Sequence, residues 1–335
     1  MARVMERTAT AGEVEQEEPA ATTDEVVLRV VGLTKRYGAR TAVQGLDLAV
    51  RRGEVFGFLG PNGAGKTTAI AMILRLVAPD AGRVEILGHD ASHDAETTLR
   101  RVGAIVETPA YYPYLSGLDN LRVFALARGG VSEERIADVL TLVGLRGRER
   151  DRFGTYSLGM KQRLGIAGAL LGDPDLLILD EPTNGLDPAG IIEIRQLIRR
   201  LAEGGQTIVL CSHLLGEVQQ VCDRVAIMAS GRIVAQGTVE TLLREGAVTV
   251  LRVDDPVRAE TILRRVPWVA GMTREGDAMI IEMPEGDAFM LGRVMAEHGI
   301  VIGELHRRER DLEQFFLDMT TDNATIASSR RTDSR

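Results

Sequence analysis

Gly60-Pro-Asn-Gly-Ala-Gly-Lys-Thr-Thr68 decides how the rest of this chain is understood. It has the spacing G-x-x-x-x-G-K-[ST], with Gly60, Gly65, Lys66 and Thr67 at the required places. Val55-Phe-Gly-Phe-Leu59 before it is an apolar run of strand length. Ala69-Ile-Ala-Met-Ile-Leu-Arg-Leu76 after it has the length and spacing of a helix. A strand feeding a glycine loop that opens a helix is the setting in which such a loop captures phosphate. Glycines let backbone N–H groups close around an anion, and the helix start adds unpaired donors and a positive dipole end. Pro61, Asn62, Gly63, Ala64 and Thr68 complete the loop. Lys66 is expected to reach the β- and γ-phosphates of a nucleoside triphosphate, and the Thr67 hydroxyl to sit on Mg²⁺.

The bulk properties agree with a soluble globular protein. At 335 residues the chain has room for about two domains. Its apolar share of 44% and charged share of 26% are those of a globular protein. No run of about 18 apolar residues is present to span a bilayer. The first residues carry Glu13, Glu15, Glu17 and Glu18 in place of the apolar core of a signal peptide. A net charge of −8 argues against nucleic acid as the main partner. Cys211 and Cys222 have the character of ordinary small core residues in a reduced, cytoplasmic setting. Arginine is abundant while lysine occurs only at 35, 66 and 161, and Lys66 and Lys161 both fall inside motifs. A compact ammonium is not interchangeable with a planar guanidinium where phosphates crowd the space.

Strands alternating with helices around the phosphate loop predict a layered α/β core. Residues 1–24 are polar and aperiodic, a disordered arm. The core is expected over 25–245. Strands fall at Val26–Val31, ended by a turn, and at Ala42–Val50, Arg83–Leu87, Val102–Val106, Leu176–Leu179 and Thr207–Cys211. Val225–Met228 and Arg232–Ala235 form a hairpin, and a helix spans about 188–203 before Gly204-Gly205. Residues 110–172 read as a helical insert. Ser116-Gly-Leu-Asp119 is a capping box for one helix, Ser132 starts a second, and residues 164–171 form a third. Residues 246–320 change character, and their order β-α-β-β-α-β predicts a small α+β module of ferredoxin-like type. A short helix near Leu312–Met319 and a disordered tail over 321–335 close the chain.

Two further segments carry chemistry. Leu176-Leu-Ile-Leu-Asp-Glu181 ends an apolar strand in two carboxylates. Asp180 can sit beside the metal, and Glu181 can polarise the attacking water. Tyr156-Ser-Leu-Gly-Met-Lys-Gln-Arg163 opens an apolar helix with a hydroxyl and close backbone donors; taken alone it reads as a plain helix cap.

Here the chain resembles the ATP-binding-cassette (ABC) ATPases. Tyr156–Arg163 is similar to the signature loop of that family in a variant form common among drug exporters. Ser157 and Gly159 keep the pattern, while Leu158 and Met160 replace its first Gly and its Gln. Tyr37 matches the aromatic residue that stacks on adenine, and Asn184-Gly-Leu-Asp187 the loop that faces across a dimer. His213 matches the histidine that contacts the γ-phosphate. The elements follow in family order over 26–240. The resemblance implies a phosphate-loop ATPase core of ABC type with an inserted helical subdomain and a C-terminal accessory module. It implies ATP and Mg²⁺ as ligands, with Lys66, Glu181 and His213 catalytic and Thr67, Asp180 and Glu107 around the metal.

Glu107 departs from the family, which has Gln there. Glutamate still offers oxygen to Mg²⁺, but it adds negative charge and has no amide donor. The tract Glu107-Thr-Pro-Ala-Tyr-Tyr-Pro-Tyr-Leu-Ser-Gly-Leu-Asp-Asn-Leu121 and the ending Asp311-Leu-Glu-Gln-Phe-Phe-Leu317 resemble the daunorubicin- and bacitracin-exporter branch. That branch implies a head-to-tail homodimer in which Ser157 and Gly159 complete the site of the opposite chain. It also implies an integral-membrane permease, a place on the cytoplasmic face of the bacterial cell membrane, and export of a hydrophobic small molecule or antibiotic. Tyr111, Tyr112, Tyr114 and Leu115 are the expected permease contact, although aromatic side chains also fill cores. The alternative is a soluble ABC ATPase acting on ribosomes or nucleic acid. The single phosphate loop, and the short interval between Lys66 and Ser157, favour the transporter.

Overall fold

The computed structural model describes residues 25–245, 248–283 and 288–308. The N-terminal arm, the Leu312–Met319 helix and the tail lie outside the described residues, as does the expected boundary at 245/246. Along the chain come β1 (Val26–Tyr37), β2 (Arg40–Arg51), β3 (Val55–Leu59), α1 (Lys66–Ile73), β4 (Ala81–Ile86), β5 (His89–Asp90), α2 (Ala95–Arg100) and β6 (Val102–Ile105). Then follow α3 (Gly117–Ala127), α4 (Glu133–Leu142), α5 (Leu158–Leu170), β7 (Leu176–Asp180), α6 (Pro188–Glu203), β8 (Thr207–Ser212), α7 (Leu215–Val218), β9 (Arg224–Ala229), β10 (Arg232–Thr238) and α8 (Val239–Glu245). The last elements are β11 (Val248–Val253), α9 (Pro256–Leu263), β12 (Gly271–Glu275), β13 (Ala278–Glu282), α10 (Ala288–Glu297) and β14 (Ile302–Arg308).

The central sheet runs β10-β9-β3-β8-β7-β6. Its strands are parallel from β9 to β6, and β10 is antiparallel at the edge. Every residue of β3, β7 and β8 is buried, as continuous apolar runs require when a parallel strand is covered on both faces. One face packs on α3, α4, α5 and α6 through Leu121, Val139, Leu164 and Ile194. The other meets α1 and an antiparallel sheet β2-β1-β4-β5 through Phe56, Phe58, Ile70 and Leu28. This layering holds the ends of β3, β7 and β8 side by side, where the phosphate loop, the acid pair and His213 emerge.

The C-terminal residues form an antiparallel sheet β12-β13-β11-β14, with α9 and α10 packed on it through Leu251, Leu263, Leu291 and Met295. That strand order is the one a β-α-β-β-α-β chain takes in a ferredoxin-like fold.

Three local expectations are corrected. The turn after Val31 is a bulge inside one continuous strand: Gly32 adopts φ +60 and donates to Asp47 Oδ1 at 2.8 Å, and β1 runs on to Tyr37. The helix expected at 164–171 begins six residues earlier, because Ser157 caps it at Leu158, while Gly159, Lys161, Gln162 and Arg163 interrupt the apolar run there. A helix at Ala95–Arg100 was not anticipated. It is short and mostly polar, held by an Asp94 cap and a Glu96–Arg100 ion pair.

Candidate nucleotide site

Gly60 to Gly65 link the end of β3 to the start of α1. Gly65, at φ +110, is the residue from which the helix springs, and no side chain caps its start; the first turn carries no acid. By contrast α2, α3, α4, α5, α6 and α9 each begin on an Asp or Ser that accepts a backbone N–H. The unpaired donors of α1 therefore face a cleft of about 390 Å³. Its lining includes Tyr37, Arg40, Pro61, Asn62, Gly63, Gly65, Lys66, Thr67, Thr68 and Glu181. Ala64 is buried behind the loop.

Lys66 is only 5% exposed. A buried ammonium needs partners, and it has them: Nζ donates to the Gly60 carbonyl at 2.7 Å and lies 3.3 Å from Glu181 Oε1. Glu181 Oε2 is 2.7 Å from His213 Nδ1, a contact that places the imidazole proton on Nδ1, since the carboxylate can only accept. Glu181 sits at φ +50, and its N–H donates to the Cys211 carbonyl at 3.0 Å. The left-handed turn directs its side chain from the strand end toward the cleft. Lys66, Glu181 and His213, about 32 residues or more apart in pairs involving His213, thus meet at one point.

Asp180 closes β7 at 2% exposure. Burial raises its pKa above the usual carboxylate value, and the Glu181 charge adds to this. A hydrogen bond from Thr67 and the Lys66 charge pull the other way, and the more distant Glu107 raises it further. Asp180 Oδ1 is buried with no hydrogen-bond partner. An orphaned carboxylate oxygen beside a threonine hydroxyl is a donor set suited to Mg²⁺. Among the described residues no three His, Cys, Asp or Glu side chains form a metal cage of their own. Mg²⁺ takes one or two carboxylates and completes its shell with phosphate and water. Glu107, exposed and at φ +59, follows the end of β6.

Other expected residues lie elsewhere. Ser157 caps α5 by accepting from Met160 N at 3.2 Å, and neither Ser157 nor Gly159 lines the cleft of its own chain. Leu158 is 38% exposed, Met160 is buried, and Asp187 caps α6 by accepting from Gly190 N at 3.1 Å. Tyr37 stands half exposed at the cleft, with Lys35 Nζ 5.6 Å from its ring centre.

The tyrosine tract divides. Tyr111 turns inward: its ring centre lies 4.8 Å from that of Phe124 and 5.2 Å from that of Phe153, and its hydroxyl donates to the Leu164 carbonyl at 3.1 Å. Burial pushes its phenol far above the usual value. It is a core residue of the helical insert and is withdrawn from the expected outer surface. Tyr112 and Tyr114 remain outside at 47% and 67% exposure, and Leu115 is half-buried.

Two residues escaped the sequence reading. Asn120, fully buried, holds the tyrosine loop by accepting from Tyr112 N at 2.8 Å and donating to the Tyr112 carbonyl at 3.1 Å. Its place inside a capped helix offered no clue. Arg40 lines the cleft, and the two-residue turn that pairs it with Tyr37 was a signal that could have found it.

The ABC transporter family model matches residues 43–184. The bacitracin transport ATP-binding protein BcrA of Enterococcus faecalis is 40% identical over 87% of this chain and 96% of its own length. The daunorubicin resistance ATP-binding protein DrrA3 of Streptomyces coeruleorubidus is 36% identical over 90% of this chain and 98% of its own. A solved dimeric structure of a bacterial ABC transporter cassette is 26% identical with a TM-score of 0.58, covering 63% of this chain and 98% of that one.

Proposed function

This chain belongs to the family of ABC transporter ATP-binding proteins, and from that premise we propose that it powers export of a hydrophobic small molecule or antibiotic through a separate membrane permease. It is an ATPase. The observation that carries the export assignment is 36% to 40% identity, over nearly the full length, to proteins named for bacitracin transport and daunorubicin resistance. Among the described residues no helix is long and apolar enough to cross a membrane. The relatives named for transport support a membrane partner on which the work is done. The place of action is the cytoplasmic face of the cell membrane.

In the proposed mechanism the phosphate loop and the open start of α1 bind the triphosphate, and Tyr37 carries the adenine. Lys66 leaves Glu181 for the β- and γ-phosphates, a stronger anion than one carboxylate. That exchange frees a Glu181 oxygen to take a proton from the attacking water, while His213 holds the other oxygen in place. Thr67, Asp180 and Glu107 would hold Mg²⁺, which when bound would supply positive charge against the phosphate oxygens. Ser157 and Gly159 do not line their own cleft. They serve a second copy, with Leu158 and Asp187 at the same dimer face; Met160, expected there too, is buried in the core of the helical insert. A dimeric cassette among the similar structures supports this arrangement.

Tyr112 and Tyr114, with ring centres 5.8 Å apart, form the permease contact together with Leu115. Exposed aromatic pairs of this kind act as interface anchors, each able to contribute about 2 kcal/mol. A tagged chain isolated from detergent-solubilised host membranes should bring down a polytopic partner. The Tyr112→Ala, Tyr114→Ala double variant should lose most of it while retaining ATPase activity. Isolation with ribosomes in place of a polytopic protein would reject the export reading, and full recruitment of the double variant would reject the tyrosine contact.

A further inference from the structure

We propose that Arg40 is a phosphate-binding residue of the nucleotide site, a second cation acting on the triphosphate from the side opposite Lys66. The proposal rests on the reading of this cleft as an ATP site.

Three observations converge on Arg40. Tyr37 and Arg40 are cross-strand partners on either side of the two-residue turn joining β1 and β2. Directly paired residues present their side chains to the same face of an antiparallel ladder. Both side chains accordingly line the cleft, so the hairpin offers an aromatic ring and a guanidinium together. The guanidinium also leans across the phosphate loop: Nη2 lies 3.5 Å from the carbonyl of Gly63.

The charge balance supplies the third. Lys66 and Arg40 are the cations lining the cleft, and Glu181 is the anion. Lys66 is paired with Glu181, and nearby Lys35 is paired with Asp80 at 3.0 Å. No carboxylate among the described residues pairs with Arg40, and its hydrogen bond to Gly63 is long. With Asp180 and Glu107 adding negative charge at the inner end, the uncommitted positive charge of the lining is that of Arg40. A triphosphate entering this cleft finds Lys66 at its inner end and a free fork of N–H donors at its outer edge. A guanidinium binds phosphate oxygens through paired hydrogen bonds that an ammonium does not reproduce.

Calorimetric titration of the full chain with ATP, AMP and adenosine, for wild type, Arg40→Met and Arg40→Lys, tests the assignment. Arg40→Met keeps the apolar stem and removes the charge. ATP affinity is expected to fall about tenfold to a hundredfold in Arg40→Met, the scale of a lost hydrogen bond to a charged group. The loss should be smaller for AMP and absent for adenosine, with Arg40→Lys intermediate. Unchanged ATP affinity in Arg40→Met overturns the proposal. An equal loss for adenosine also overturns it, because Arg40 would then act only by shaping the hairpin under Tyr37. Wild-type protein that binds adenosine and ATP equally, or neither, overturns the reading of the cleft itself.

Discussion

Glu181→Gln lowers the rate of phosphate release by about 10²–10⁴-fold, the range expected when a positioned general base is removed, while ATP affinity stays within a few-fold of wild type. The amide keeps the side chain's size but has no basic oxygen to take the proton of water. It can still accept one hydrogen bond from His213, so the 2.7 Å contact need not be lost. Lys66 loses its ion-pair partner in the empty site but retains the Gly60 carbonyl at 2.7 Å, and ATP replaces the missing charge. If ATP is shared between two copies, the trapped substrate should also hold the dimer, visible as a doubled mass in light scattering with ATP and a single mass without it. Phosphate release near the wild-type rate would remove Glu181 from the role of base.

Gly65→Ala costs both stability and nucleotide binding. Two penalties act together. The backbone stands at φ +110, which an L side chain adopts at about 1–3 kcal/mol. A Cβ would also run into the carbonyl oxygen of Ala42, a backbone atom of β2 that cannot swing aside. Relief requires the start of α1 to move away from β2, and that start holds the donors aimed at phosphate. ATP affinity should fall more than tenfold, and the melting temperature by about 2–10 °C for a domain of this size. Gly129→Ala separates the two effects: Gly129 has φ +89, nothing within 4 Å of the added atom, and no place in the cleft. It should show the melting shift of a strained backbone without the affinity loss. Equal ATP affinity in the two variants would rule out the clash with Ala42 as a determinant of the site.

Much of the architecture could be inferred from residue pattern because it rests on local signals. The buried strands β3, β7 and β8 are unbroken apolar runs. α6 is bracketed by Asp187-Pro188 at its start and Gly204-Gly205 at its end, a cap with helix-compatible proline and then a pair of helix breakers. What escaped depended on long-range packing or lacked periodicity. The first turn of α5 mixes Leu158 and Met160 with Gly159 and Lys161, and only Met160 of the two apolar residues is buried, so no apolar face is legible there. Gly32 looks like a turn in isolation, but the side chain of Asp47 across the sheet turns it into a bulge. Tyr111 and Tyr112 are adjacent and chemically identical. Only the positions of Phe124 and Phe153 decide that the first is core and the second is surface. The cleft followed the same rule: Lys66 and Thr67 belong to a local motif, whereas Arg40 enters from a different sheet.

The uncapped start of α1 has a dynamic consequence. Lys66, Thr67 and Thr68 lie in the first turn, ahead of the first helical bond from Ala69 N to the Gly65 carbonyl at 2.9 Å, so their amides have no intrahelical acceptor. Other helices carry that acceptor in their own sequence; α1 borrows it from the nucleotide. Phosphate release then exposes these amides to solvent, and their deuterium uptake becomes a clock for site occupancy, running in the empty protein and slowed while ATP is bound.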